Sequence, residues 1–119
     1  MKNITTLLAS PHKAYHAHIY FDQQTLALAT QLCEQIAATF TLPIGRIHQR
    51  PVGPHPEWSC QISFAQKHLQ DFIPWLEQRR QGLTVFVHGI SGNDLEDHTL
   101  HVYWLGEEKV LDISIFQEA

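Results

Sequence analysis

The sequence predicts a small α+β domain, and three observations support this fold class. Short segments rich in β-branched and aromatic residues alternate with two longer segments whose apolar residues recur at helical spacing. Turns that contain proline or glycine separate these segments. The resulting order, βαββαβ, is that of a ferredoxin-like antiparallel sheet with two helices on one face, and a C-terminal β-hairpin follows it. We expect a single domain over residues 1–119, with residues 1–14 as a loosely ordered N-terminus.

The first half of the chain contains three predicted strands and one helix. Tyr15–Phe21 is rich in aromatic and β-branched residues, which is typical of a strand. Asp22, a residue type that favours helix N-caps, precedes a predicted helix over Gln23–Phe40. Alternation of apolar and polar residues predicts a second strand at Ile44–Arg50. A turn with three prolines then leads to a third strand, Trp58–Phe64.

The second half contains a helix, a buried strand and a hairpin. The helix is predicted over Lys67–Gln81, where Pro74 indicates either a kink or a later start. The most apolar strand is Leu83–Ile90, and a polar loop follows it. Two further strands, Leu100–Leu105 and Val110–Phe116, are predicted to pair as the C-terminal hairpin.

Composition argues against several classes of protein. At 44% hydrophobic residues the chain can bury a core, but no apolar run approaches the roughly 20 residues that span a bilayer. Residues 1–10 also lack the hydrophobic region of a secretory signal, and we expect a cytoplasmic protein without a membrane partner. A net charge of −4 with only eight Lys and Arg argues against nucleic-acid binding. Cys33 and Cys60 are far apart in sequence, and we expect them to be reduced thiols.

Histidine is unusually frequent, with nine residues, and three of them are predicted to meet. Side chains alternate along a strand, so His16, His18 and Tyr20 share one face of the first strand. We call the sheet face that carries them, opposite the helices, the histidine face. The ferredoxin-like order places the fourth strand beside the first, which brings His88 to His16 and His18. Three protein ligands leave open positions on a metal ion, as a catalytic site requires.

Other residues are candidates for catalysis or substrate binding. His55 lies in the proline-rich turn, and His98 follows Asp97 in the polar loop, so either could act as an acid or base. Four polar residues are candidates for substrate binding: Tyr20 near the end of the first strand, and Arg46, His48 and Arg50 on one face of the second. The two arginines are suited to binding a substrate carboxylate. Isolated histidines are usually solvated or hydrogen-bonded within the protein, and we so interpret His12, His68 and His101.

The chain resembles the DOPA 4,5-dioxygenase family of small bacterial and fungal proteins over about residues 15–116. The likeness depends on several segments in the right order: Tyr15–Asp22, Arg50–Pro56, Val87-His88, Gly92-Asn93-Asp94, Asp97-His98-Thr99, Trp104-Leu105-Gly106 and Leu111-Asp112. The resemblance implies a compact α+β fold and opening of a catechol ring beside its hydroxyls, with oxygen, at a non-haem Fe(II). It carries over His16, His18, His55, His88 and His98 as site residues. Where the family pattern leads us to expect a proline after the fourth-strand histidine, this chain has Gly89.

Together these inferences form one mechanistic hypothesis. Fe(II), or zinc or another divalent ion in a purified sample, binds His16, His18 and His88, although His55 could replace His16. The substrates are oxygen and a catechol such as DOPA or a related aromatic acid. His55 or His98 moves a proton, and Arg46 or Arg50 holds an acidic tail.

Other functions fit parts of the pattern. A metal- or small-molecule-binding protein without turnover would use the same face of the sheet. An RNA-recognition module shares the βαββαβ order but stacks bases on aromatic residues, where this chain has histidine, serine and glutamine. The histidine face could also pair two copies of the chain as a homodimer.

Overall fold

The computed structural model of the chain describes residues 2–116; Met1 and residues 117–119 of the expected domain lie outside them. The elements, in chain order, are α1 (Ile4–Leu8), β1 (Ala14–Phe21), α2 (Leu26–Phe40), β2 (Trp58–Ala65), α3 (Leu69–Arg79), β3 (Val85–Gly89), α4 (Asp94–Asp97) and β4 (Val102–Leu105). Short 3-10 turns span Gln66–His68 and Ile113–Phe116. Among the described residues, no helix has both the length and the apolar character needed to cross a bilayer.

The four strands form one antiparallel sheet in the order β2-β1-β3-β4, which confirms the predicted α+β class. β1 is central and pairs with β2 on one side and β3 on the other. The fourth predicted strand therefore lies beside the first, as the ferredoxin-like order requires.

The main core lies between the sheet and helices α2 and α3. Alternate residues of β1, namely Ala17, Ile19 and Phe21, point into it and are almost fully buried. The period of two along a strand therefore sends the intervening residues to the opposite, histidine face. A second, smaller apolar cluster on that face consists of Tyr20, Phe86 and Trp104.

The segment predicted as the second strand, Ile44–Arg50, is not a strand. It runs beside β2 but forms only two isolated bridges, Ile44 with Ile62 and His48 with Ser59. Between these bridges the segment advances four residues while β2 advances three, so it contains one extra residue, as in a β-bulge. The extra residue breaks the alternation of side chains that the prediction assumed.

The predicted C-terminal hairpin is also wrong, because Val110–Phe116 leaves the sheet. Asp112 donates its backbone N–H to the carbonyl of Pro54 at 2.8 Å, and its side chain accepts from the N–H and hydroxyl of Ser114. This local capping favours the 3-10 turn at Ile113–Phe116 over an extended strand. Leu111 packs against the small apolar cluster, so the segment covers part of the histidine face.

The N-terminal residues, which we expected to be loosely ordered, include a short helix that contacts the core. α1 is capped by the side chain of Asn3, and Leu7 is fully buried in the main core. The carbonyl of Lys2 accepts a hydrogen bond from the N–H of Trp104 at 3.0 Å. These contacts attach the N-terminal residues from Lys2 onward to β4 and the core.

Candidate metal centre

Three histidines meet where β1 pairs with β3. His16 is directly opposite His88 in the register of the two strands, and His18 is two residues further along β1. The ligand atoms of all three imidazoles lie within 4.8 Å of one another, and this is the one such group of metal-binding side chains in residues 2–116. The sequence prediction that His88 approaches His16 and His18 therefore agrees with their placement.

The spacing of these nitrogens suits a bound metal ion. The Nε2 atoms of His18 and His88 are 3.2 Å apart. Two nitrogens bound to one ion at about 2.1 Å, with an angle between about 90° and 109° at the metal, would lie roughly 3.0–3.4 Å apart. The nitrogens of His18 and His88 thus already have the spacing of two ligands of one divalent ion, and His16 lies within 4.8 Å of them.

Burial keeps these histidines uncharged, which is the form that binds metals. Desolvation lowers the pKa of His88 to about 3 and lowers the pKa of His18 well below its usual value, with neighbouring histidines adding to the effect on His18. The pKa of His16 is also lowered, mainly by burial. His88 Nδ1 lies 3.0 Å from the carbonyl of Gly89, which only accepts, so Nδ1 carries the proton and Nε2 keeps its lone pair.

His55 lies over His18 and is held by a buried tyrosine. Its ring centroid is 4.1 Å from that of His18, and its Nδ1 is 2.8 Å from the hydroxyl of Tyr20. Burial raises the pKa of the Tyr20 phenol, so the hydroxyl keeps its proton. This buried hydroxyl has no other hydrogen-bond partner among residues 2–116, so its proton is satisfied only by donating to Nδ1. Neutral His55 therefore carries its proton on Nε2. Burial also lowers the pKa of His55 to about 4.

His98 approaches the group from the loop after β3. Its ring centroid is 4.4 Å from that of His88, and it stacks on Phe116 at 4.7 Å. Its Nδ1 lies 2.7 Å from the carbonyl of Asp94, so Nδ1 donates and Nε2 is left as an acceptor. The buried carboxylate of Asp97 fixes the loop by accepting from the N–H and hydroxyl of Ser91.

These side chains line one cleft of about 260 Å³, which we call the histidine cleft. Its lining contains all five candidate histidines together with apolar, amide and acidic side chains: His16, His18, Pro54, His55, Gln61, His88, Ile90, Asp94, Asp97, His98, Ile115 and Phe116. The proposed ligands and the proposed acid–base residues therefore share a single cavity.

The residues predicted to bind substrate are placed differently. Arg46 and Arg50 are exposed and do not line the histidine cleft. Their segment runs along β2, the edge strand, which separates it from β1 and β3. His48 is half-buried and likewise outside the lining. Tyr20 is buried beneath His55, where it can orient that ring but cannot touch a ligand in the cleft.

Sequence reasoning missed several lining residues. Gln61 pairs with His18 in the register of β1 and β2, and the alternation of the third predicted strand had already placed it on the histidine face. Asp94 occurs in one of the family-like segments, but its sequence position alone did not indicate a place in the site. No feature of the sequence indicated that Phe116 lines the cleft, because its segment was predicted to be a strand of the C-terminal hairpin.

The structure explains Gly89, which stands where we expected proline. The imidazole of His12 lies against Gly89, with its Cδ2 and Nδ1 atoms 2.6 Å from the position that a Cβ would occupy. The N–H of Gly89 also donates to the carbonyl of His101 at 2.9 Å. Proline would lack that donor and would collide with the His12 ring.

Comparisons with known proteins agree with this fold. The model of the Dopa 4,5-dioxygenase family matches residues 15–115. The crystal structure of a proposed dioxygenase from Nostoc punctiforme PCC 73102 is similar, with a TM-score of 0.85 and 33% identity over 89% of this chain and 92% of that one.

Two curated fungal proteins are also similar to the chain. A DOPA 4,5-dioxygenase from Amanita muscaria is 28% identical over 94% of this chain and 53% of its own length. An uncharacterised 21.2 kDa protein from Botryotinia fuckeliana is 33% identical over 86% of this chain and 62% of its own length. The chain thus spans only about half to three-fifths of the length of these curated relatives. Because the family model covers most of the chain, the protein belongs to the Dopa 4,5-dioxygenase family.

Proposed function

We propose that the chain is an extradiol dioxygenase that opens the ring of a catechol with molecular oxygen, using Fe(II) held by His16, His18 and His88. The observation that carries this proposal is the convergence of three uncharged imidazoles, within 4.8 Å, in a cleft that also contains His55 and His98. Family membership and the similarity to a DOPA 4,5-dioxygenase support the reaction type.

Three histidine ligands suit the proposed metal and its chemistry. They leave positions at which a catechol and oxygen can bind, and an Fe(II) ion there would supply the redox chemistry that oxygen requires. Zinc fits the same nitrogens but lacks redox chemistry, so a zinc-loaded sample would be inert. Both oxygen atoms enter the ring-opened product, so the reaction requires no external reductant.

His55 and His98 present opposite hydrogen-bonding groups to the cleft. His55 has a proton on Nε2 because Tyr20 donates to its Nδ1. His98 has a lone pair on Nε2 because its Nδ1 donates to the carbonyl of Asp94. In this proposal His98 accepts a proton from a catechol hydroxyl, and His55 donates a hydrogen bond to a developing negative charge.

The apolar part of the lining would hold the aromatic ring. Phe116, Ile115, Ile90 and Pro54 line the same cavity as the histidines, and its volume of about 260 Å³ accommodates a single ring. Phe116 stacks on His98, so the ring would lie between an aromatic side chain and the metal ligands.

Oxygen consumption tests the proposal. Protein loaded with Fe(II) under argon is mixed with DOPA, caffeate or protocatechuate in oxygenated buffer, and oxygen uptake is followed with the absorbance of a yellow product. We expect uptake by the wild type, loss of at least about a hundredfold in His88→Ala, and little change in His68→Ala, whose histidine lies outside the cleft. If iron-loaded wild type consumes no oxygen with any catechol, the protein is a binding protein without turnover.

A further inference from the structure

The histidine cleft is lined by two carboxylates and, among residues 2–116, by no lysine or arginine. The carboxylates belong to Asp94 and Asp97. The two arginines expected to hold an acidic tail, Arg46 and Arg50, are exposed outside it. A substrate side chain that ends in a carboxylate and points away from the three histidines would therefore find no lysine or arginine to pair with in this cavity.

Only one of the two carboxylates is free to meet a ligand. Asp97 is 2% exposed, and both of its oxygens accept hydrogen bonds from Ser91. The carboxylate of Asp94 is exposed and has no hydrogen bond or ion pair with any described residue. Its backbone is nevertheless fixed, because its carbonyl accepts from both the N–H and the Nδ1 of His98.

A second cavity shows where a ring substituent would leave the histidine cleft. This cavity, of about 520 Å³, shares Asp94, Ile115 and Phe116 with the cleft. Its other lining residues, Asn93 and Leu95, are uncharged. A side chain that extends from a ring bound beside the histidines into this cavity would pass Asp94, one of the three residues that line both cavities.

We infer that the site selects catechols whose side chain ends in a cationic amine over those whose side chain ends in a carboxylate, with Asp94 as the ion-pair partner of the amine. This inference rests on the proposed function, since it assumes that a catechol binds beside the three histidines. It also implies that a catechol amine without a carboxylate is a better ligand than DOPA, which has both groups.

The size of the effect follows from the exposure of Asp94. An ion pair with an exposed carboxylate is weak, and repulsion of a substrate carboxylate adds to the difference between the two ligands. We expect the cationic catechol to bind about threefold to tenfold more tightly than the anionic one. Because exposed charges are screened, the preference should shrink as salt is added.

The experiment is a calorimetric titration of Fe(II)-loaded protein under argon, at low ionic strength, with three catechols that differ in charge. They are dopamine, 4-methylcatechol and 3,4-dihydroxyphenylacetate. We expect dissociation constants to increase in that order. Asp94→Asn should remove most of the difference, whereas Glu96→Gln, the same change of charge in the same short helix but outside the cleft, should leave it intact.

The outcomes separate this inference from the proposed function. A cationic preference that depends on Asp94 supports the inference even if oxygen uptake, measured separately, is absent. Equal binding of the three catechols, tighter binding of the acid, or a preference that survives in Asp94→Asn overturns it even if the enzyme consumes oxygen. Failure of all three to bind overturns both.

Discussion

At His88 and His98, a hydrogen bond to a backbone carbonyl determines which ring nitrogen faces the cleft. Gly89 and Asp94 supply these carbonyls, and because a carbonyl only accepts, each Nδ1 must carry the proton. His55 is the opposite case, since the buried hydroxyl of Tyr20 donates to its Nδ1. Neighbouring residues thus assign different roles to chemically identical side chains.

Removal of the Tyr20 hydroxyl tests whether the orientation of His55 matters for turnover. In Tyr20→Phe, His55 loses the donor that fixes its tautomer, and its Nδ1 is left without that partner. We expect kcat for oxygen uptake to fall about tenfold. The free energy of unfolding should fall by only about 1 kcal/mol, as for one buried hydrogen bond. Steady-state kinetics and urea unfolding measure the two quantities.

The metal content of Tyr20→Phe is the control, because Tyr20 does not belong to the group of ligand nitrogens. Iron bound per chain should equal that of the wild type. A variant with full iron and unchanged kcat would mean that the orientation of His55 does not matter for turnover.

Among the elements, β1 and β3 carry the site, and their alternation explains why the sequence located it. Every second residue of β1 faces the helices, so His16 and His18 had to share the opposite face. His88 followed from the order of the strands. These inferences needed only the period of a strand and a known topology.

The segments beside the sheet could not be predicted in the same way. The bulge between Ile44 and His48 depends on how that segment pairs with β2, a contact between residues distant in sequence. The path of Val110–Phe116 depends on the hydrogen bond of Asp112 to the carbonyl of Pro54. Local alternation predicted strands in both places, and tertiary contacts overrode it.

The end of β3 offers a prediction about packing. The Gly89→Ala methyl would meet the imidazole of His12, which is held by the hydroxyl of Tyr103 at 3.0 Å. We expect this variant to lose about 1–3 kcal/mol of unfolding free energy, as for other overpacked sites. Urea denaturation of Gly89→Ala, His12→Ala and the double variant measures the loss.

The double variant separates a clash from a backbone effect. If the His12 ring is the obstacle, Gly89→Ala should lower the free energy of unfolding much less in the His12→Ala background than in the wild type. An equal cost in both backgrounds would show that the ring does not cause the loss.

For the molecule as a whole, a group of uncharged, buried histidines makes stability depend on pH. Their pKa values in the folded protein are lowered, to about 4 for His55 and about 3 for His88, whereas an unfolded histidine has a pKa of about 6.5. Below about pH 6.5 the unfolded chain therefore binds protons that the folded chain cannot. Stability is lost as the pH falls from there toward the folded-state values.

We expect the unfolding free energy of the metal-free protein to fall between roughly pH 6.5 and 4, with each such histidine contributing up to about 1.4 kcal/mol per pH unit. Urea unfolding at a series of pH values measures this slope. The carboxyls of Asp22 and Asp112 have lowered pKa values, so they titrate below this window. A flat profile would contradict the account, and His88→Gln should make the slope shallower.

The most direct test of the central claim, that three of the five clustered histidines hold the metal, is the iron content of single His→Ala variants after anaerobic loading and gel filtration. Elemental analysis should find about one iron per chain in the wild type, His55→Ala and His98→Ala. The variants at His16, His18 and His88 should lose most of it, with circular dichroism confirming that each remains folded. Full iron in a folded His88→Ala protein, or loss of iron in His55→Ala, would contradict the assignment.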